Sequence, residues 1–129
     1  MALVVVDTDI LIDYSRQAAR LDPVLRELMG DGMLAITAIS VFELEQGFRR
    51  PEDRIRLSVF LEALPILQLD KAAAVKAGEV SRALAATGQN LALGDLLIAG
   101  IVLSHSGILL TRNIRHFSRI PGLRLFGPE

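Results

Sequence analysis

A chain of 129 residues with 51% hydrophobic side chains and a mean hydropathy of +0.42 is long enough to bury one sizeable core, and it fits a single domain over residues 1–129. It has no cysteine, which excludes disulfides and thiolate zinc sites and suits a reducing cytoplasm. A formal net charge of -1 with a pI near 6.1 supplies no global field to attract nucleic acid or a membrane surface. The opening Met1-Ala2-Leu3-Val4 lacks the basic flank of a signal peptide, so a cytoplasmic location is expected. The most apolar stretch, 91–110, is broken by Asp95, Ser104, His105, Ser106 and Gly107 and falls short of the ~18 apolar residues of a membrane span.

In chain order, the β-branched run Val4-Val5-Val6 reads as a strand that stops on Asp7. A short helix is predicted over 9–15. Asp22-Pro23 gives an N-cap followed by proline at the first helical position, and that helix ends near Gly30. A second strand over 34–36 leads to a helix over 40–49, and Pro51 opens another over 51–64. A third strand over 66–69 precedes a long alanine-rich helix over 71–87 that Gly88 stops. The apolar helix over 93–104, a strand over 108–111 and a last strand over 124–126 complete the series. Strands separated by helices imply an α/β fold: a parallel sheet covered on both faces, in three layers, with no repeat or linker.

Three carboxylates stand where these elements begin or end. Asp7 closes the first strand, Glu43 sits in the first turns of the helix after the second, and Asp95 opens the helix after Gly94. In open parallel sheets, sites form at the carboxyl ends of strands. All three acids are therefore expected at one crevice, with Asp9, Thr111 and Asn113 at its rim. Ionised carboxylates held together need a cation, a shared proton or basic neighbours, and oxygen-only donors favour magnesium or manganese over zinc. Each residue also has a plainer reading. Asp7 and Asp9 suit helix capping, Ser40-Val41-Phe42-Glu43 fits a capping box in which Glu43 bonds back to the Ser40 amide, and Asp95 suits a helix first turn. Thr111 and Asn113 suit a turn, and His105 and His116 suit the surface. Of fourteen basic residues twelve are arginines, grouped at Arg49, Arg50, Arg54 and Arg56 and again at Arg112, Arg115, Arg119 and Arg124. They form either a solvated face or two phosphate-contacting patches.

The segment Val6-Asp7-Thr8-Asp9-Ile10-Leu11-Ile12-Asp13, followed by Ile36-Thr37-Ala38-Ile39-Ser40-Val41-Phe42-Glu43-Leu44 with Gly47, resembles the first half of PIN-domain ribonucleases. The later blocks are similar too: Gly94-Asp95-Leu96-Leu97-Ile98-Ala99, then Leu110-Thr111-Arg112-Asn113 with Phe117 and Ile120-Pro121-Gly122-Leu123. Within that family the chain looks most like VapC-type toxins of toxin-antitoxin pairs. The resemblance implies a PIN-like α/β/α sandwich with a mainly parallel sheet of about five strands, and a magnesium-dependent endoribonuclease for which manganese also serves. Its catalytic and metal-holding acids would be Asp7, Glu43 and Asp95, supported by Thr8, Asp9, Thr111 and Asn113, with Arg112, Arg115 and His116 contacting RNA. Family members often carry a further acid near 111–117; this chain has Thr111, Asn113 and His116 there, which implies one firmly held metal and at most a weak second. Hydrolysis by activated water would leave 5'-phosphate and 3'-hydroxyl ends.

Two other classes share parts of the pattern. Asp7-Thr8-Asp9 also resembles the start of haloacid-dehalogenase-like phosphatases, although Leu11 stands where Thr or Val is usual. A phospho-acceptor receiver would use Asp70 and Thr111, but the chain ends in Phe126-Gly127-Pro128 without the lysine such domains need. A degenerate PIN binding module would carry the same blocks. The toxin reading implies an RNA substrate, a VapB-type antitoxin and operator DNA reached only through that antitoxin, since no helix-turn-helix or zinc finger is present; no membrane partner is expected. Ile55, Leu57, Val59, Phe60 and Leu61 exceed what one buried helix face needs. They are expected to form a homodimer or antitoxin surface, or else to pack into the core.

Overall fold

The structure is a computed structural model and describes residues 2–16 and 23–127. Five strands, β1 (Val4–Val6), β2 (Leu34–Thr37), β3 (Ile66–Leu67), β4 (Ile108–Leu110) and β5 (Arg124–Leu125), form one sheet in the order β3-β2-β1-β4-β5. Every pairing is parallel. Successive side chains of a strand point to opposite faces, and the valines of β1 divide accordingly. Val5 joins a core with Ala35, Ala73, Val80, Ile98, Ile101, Leu109 and Phe117, whereas Val4 and Val6 join another with Leu11, Leu25, Leu34, Ile36, Leu44 and Leu57. The second core is closed by α1 (Thr8–Arg16), α2 (Pro23–Gly30), α3 (Ala38–Gly47) and α4 (Pro51–Ala63). The first is closed by α5 (Lys71–Ala85), α6 (Leu93–Ser104) and the single turn α7 (Ile114–Phe117). This is the expected α/β/α sandwich.

Chain order runs outward from β1 through β2 to β3, then returns to β4 on the other side of β1. The strand order therefore reverses between β1 and β4, and such a switch point leaves a crevice beyond the strands' carboxyl ends. Asp7 and Thr111 are the residues that follow β1 and β4, and the Asp7 N–H donates to the Leu110 carbonyl at 2.8 Å.

Several boundaries differ from expectation. β3 and β5 are two residues long because they are the edge strands, each paired on one side only. The Asp22 cap lies outside the described residues, although α2 does begin at Pro23. The capping box over Ser40 and Glu43 is not formed. The N-cap is Thr37, with extended dihedrals (φ -101, ψ 157), and its side chain accepts from the Ser40 N–H, so α3 starts earlier and Glu43 falls in its second turn. α3 also ends at Gly47, short of Arg49. α7 was not expected; one turn carries no periodicity to read. On α4, Leu57 is fully buried, while Ile55 and Val59 are 67% and 57% exposed, so the apolar excess is divided between core and surface.

α5 buries Ala73, Ala77, Val80 and Leu84 at helical spacing against α6, whose residues 98–102 are buried without a break. A Cβ on Gly100 would stand 2.5 Å from the Ala73 carbonyl oxygen and 2.8 Å from the Ala77 nitrogen. That backbone has no side-chain freedom with which to yield. A Cβ on Gly78, exposed on α5, would meet nothing within 4 Å. Gly100→Ala is therefore expected to destabilise by about 1–3 kcal/mol through overpacking, and Gly78→Ala to stabilise by up to about 1 kcal/mol through helix propensity. Urea unfolding of the two variants checks the contrast.

Candidate active site

Asp7 directly follows the central strand and is only 5% exposed, so its carboxylate depends on local donors. One oxygen accepts from the Thr8 N–H at 2.8 Å and the other from the Thr111 hydroxyl at 2.7 Å. Burial pushes its pKa up to about 6, the charges of Asp9 and Asp95 push the same way, and the two hydrogen bonds oppose them. Asp9, in the first turn of α1, is also raised, first by burial; the Arg112 N–H donates to its Oδ2 at 3.3 Å and opposes the shift. Among the described residues its buried Oδ1 has no hydrogen-bond partner and is an open acceptor.

Glu43 reaches the crevice from α3. Its Oε1 accepts from the Thr8 hydroxyl at 2.6 Å, and the Thr8 oxygen lies 2.8 Å from Ser40 Oγ. A hydroxyl has one proton; with that of Thr8 given to the carboxylate, the Ser40 proton is left to serve the second contact. Thr37, which caps the helix, is within 3.4 Å of Ser40 Oγ, so the cap and the acid share one polar chain. The other oxygen of Glu43 lies against Gly94, where a Cβ would be 2.5 Å away. Gly94 thus lets α3 and α6 bring Glu43 beside Asp95. The pKa of Asp95 is raised first by burial, then by Glu43 and by Asp9, and lowered by His116. Asp95 sits in the first turn of α6, whose N-cap residue Ala92 makes no side-chain cap, so the helix dipole favours an anion there.

The sequence-derived residues come together in this way: the charges of Asp9 and Asp95 act on Asp7, and those of Glu43 and Asp9 act on Asp95, with Thr8 and Thr111 between them. Among the described residues Asn113 hydrogen-bonds to no acid. Its N–H donates to Thr111 Oγ1 at 2.9 Å and its side chain meets His116. The Arg112 guanidinium is paired with Asp13 outside the cluster, whereas Arg115 is exposed. Three contributors were not read from the sequence: Ser40 as a link, Gly94 as the point of close approach, and Arg119, which bridges two segments. Of these, only the glycine immediately before Asp95 left a visible signal.

Among the described residues no three acid or histidine side chains form a ready-made metal cage. A magnesium-like ion does not need one, since it keeps several waters and is held by one or two carboxylates together with substrate phosphate. All the donors here are oxygens, the Asp9 Oδ1 acceptor is unpartnered, and burial beside like charges disfavours ionisation, so the residues fit a hard divalent cation. A parallel α/β sheet with an acid cluster at its switch point defines a protein built for cation-assisted phosphate chemistry.

Comparison with known proteins agrees. The PIN domain family model matches residues 4–123. The tRNA(fMet)-specific endonuclease VapC of Salmonella typhimurium is 32% identical over 71% of this chain and 73% of its own length, and ribonuclease VapC1 of Methanocaldococcus jannaschii is 29% identical over 95% and 86%. VapBC2 from Rickettsia felis, solved bound to a DNA fragment from its promoter, superposes with a TM-score of 0.86 at 25% identity over 98% of this chain and 99% of that one. DNA-bound VapBC from Salmonella typhimurium gives 0.83 at 28% identity, covering 98% of each chain. The chain belongs to the PIN-domain family and, within it, to the VapC ribonucleases. Nucleases of this family depend on divalent metal, which the oxygen donor set suits.

The raised pKa of Asp7 has a defined consequence for stability. The folded chain holds the proton more tightly than the unfolded one between the ordinary value of 3.8 and about 6, so metal-free stability falls as pH rises through that window and levels off above it. The loss is on the order of 3 kcal/mol. Asp7→Asn keeps the shape, and the Thr111 hydroxyl can turn to accept from the amide. The variant is expected to be more stable than the parent at pH 7.5 without metal, with the difference fading below pH 4. Thermal unfolding across pH checks this, and manganese should raise the parent's midpoint more than the variant's.

Proposed function

We propose that this chain is the toxin of a toxin-antitoxin pair: a cytoplasmic, magnesium-dependent endoribonuclease, also served by manganese, that hydrolyses internal phosphodiesters. The observation that carries this reading is the convergence of Asp7, Glu43 and Asp95 at the β1/β4 switch point, with the Thr111 and Thr8 hydroxyls donating to Asp7 and Glu43. In the proposed mechanism Asp7 and Asp95 would hold the cation, with Asp9 Oδ1 as a further acceptor at the site. Such an ion would supply charge neutralisation at the phosphate oxygens and a more acidic water. Glu43, fixed by Thr8, would orient an attacking water in line with the phosphorus–O3' bond and take up its proton. The phosphorus–O3' bond breaks, the 3'-oxygen gains a proton from solvent, and the ends left are 5'-phosphate and 3'-hydroxyl. Arg115, exposed on α7, is the residue proposed to hold the RNA backbone.

Structured tRNA is the substrate class proposed first, because the Salmonella relative is named for tRNA(fMet). A VapB-type antitoxin would inhibit the chain and carry any operator DNA contact, as suggested by the DNA-bound VapBC relatives. Ile55 and Val59, four residues apart on α4, offer an exposed apolar strip suited to the antitoxin or to a homodimer partner. Among the described residues no helix is long and apolar enough to cross a membrane. The phospho-acceptor alternative loses its residue: Asp70 caps α5, accepting from the Ala73 N–H at 2.9 Å.

End-labelled tRNA incubated with magnesium, manganese or chelator tests the reading. Cuts are expected with either metal and none with chelator, and Asp7→Asn, Glu43→Gln and Asp95→Asn should each lower the rate by roughly a hundredfold or more. Ends carrying 2',3'-cyclic phosphate would overturn the mechanism. Thr8→Val removes the donor to Glu43 while keeping the shape, and is expected to lower activity by about 10–100-fold. Circular dichroism would check that the variant's fold is unchanged.

A further inference from the structure

The segment after β4 ends in a small device that the acid chemistry does not use. From Asp7, hydrogen bonds run outward through the Thr111 hydroxyl, at 2.7 Å, to the Asn113 N–H, at 2.9 Å. The Asn113 side chain continues the path: its Nδ2 lies 2.8 Å from His116 Nδ1. An amide nitrogen only donates, so Nδ1 is the acceptor and the neutral imidazole carries its proton on Nε2. Among the described residues nothing pairs with Nε2, and the ring is exposed.

Arg119 fixes the same turn from the other side. Its Nε donates to the His116 carbonyl at 3.3 Å, while its terminal nitrogens donate to Gln89 Oε1 at 3.0 Å and to the Asn90 carbonyl at 3.3 Å. Residues 89 and 90 lead into α6, which carries Asp95. α7 is therefore tied to both acid-bearing segments. A donor at this point meets a specific electrostatic need. A phosphate entering among four carboxylates is repelled by them, and an arginine there would pair with an acid, as Arg112 does with Asp13. A neutral N–H binds phosphate oxygen without competing for the carboxylates.

We propose that His116, held by Asn113 as its Nε2–H tautomer, is a substrate-contacting residue that donates a hydrogen bond from Nε2 to a non-bridging phosphate oxygen of RNA seated at the acid cluster. This rests on the ribonuclease reading above. No proton is transferred; the bond strengthens as charge accumulates on the phosphate oxygens, so its loss lowers kcat more than it raises KM. Arg119 is a positioning residue that sets where the imidazole stands.

Two measurements test it. Long-range nitrogen–proton NMR of the full chain at neutral pH should show the Nε2–H tautomer at His116; the Nδ1–H form would overturn the proposal. Metal-dependent tRNA cleavage by His116→Ala should lose about 10–100-fold in kcat/KM, whereas His116→Gln, which places an amide N–H near the same point, should stay within about fivefold of the parent. Manganese affinity, measured by calorimetry, should be unchanged in both. Full activity of His116→Ala, equal losses in the two variants or a parallel loss of manganese affinity would each overturn it while leaving the ribonuclease reading intact. A parent chain that cuts no RNA with any metal would remove both.

Discussion

Four carboxylates gathered at the end of a buried strand are unfavourable unless something offsets their mutual repulsion, and this constraint governs the surroundings of the site. Asp7 bears most of it. Burial lifts its pKa to about 6, and only two donors, the Thr8 N–H and the Thr111 hydroxyl, hold it down. Had an arginine replaced either donor, the pKa would fall and the charge would be satisfied permanently, leaving a weaker attraction for a cation. Although twelve of the fourteen basic residues are arginines, among the described residues none forms an ion pair with Asp7, Glu43 or Asp95. Arg112 shows how this is arranged: its backbone N–H and its charge both steady Asp9, while its guanidinium pairs with Asp13.

Hydroxyls suit this role because they orient an acid without neutralising it. Thr8, Ser40 and Thr37 form a continuous polar path from α1 into the start of α3, and Glu43 hangs from it. The path also does structural service, since Thr37 caps α3. Helix start and acid position are consequently one feature, and a disturbance of the cap would move the carboxylate.

That sharing explains what the sequence disclosed and what it concealed. Asp7 and Asp95 were legible because each lies at a sharp change of pattern, a β-branched run ending and an apolar helix beginning, and tertiary structure does not move such junctions. The layers were legible for the same reason: Val4, Val5 and Val6 alternate between two cores as a parallel strand covered on both faces must. Glu43 was ambiguous. Ser40-x-x-Glu43 satisfies a local capping rule, and only the contact from Thr8, 35 residues away in sequence, shows that the acid faces the crevice. The device at Asn113 and His116 was hidden because α7 is a single turn, and the bridge from Arg119 to Gln89 and Asn90 spans about thirty residues that no local pattern connects. Spacing reveals what lies on one element; contacts between elements depend on packing.

Packing sets the spacing of the acids through α6. Near its start, Gly94 leaves room for Glu43; six residues on, Gly100 rests on the backbone of α5. The first glycine admits the acid from α3, and the second fixes how deeply the helix lies in its layer. Because a close-packed interior resists displacement, a shift forced at Gly100 would travel along a rigid helix to Asp95. Cation-assisted chemistry loses rate when ligands stray by about an ångström. A glycine one and a half turns inside the core is thereby linked to the distance between Glu43 and Asp95, and the compact α5–α6 layer helps to set the geometry of the acid cluster as well as the stability of the fold.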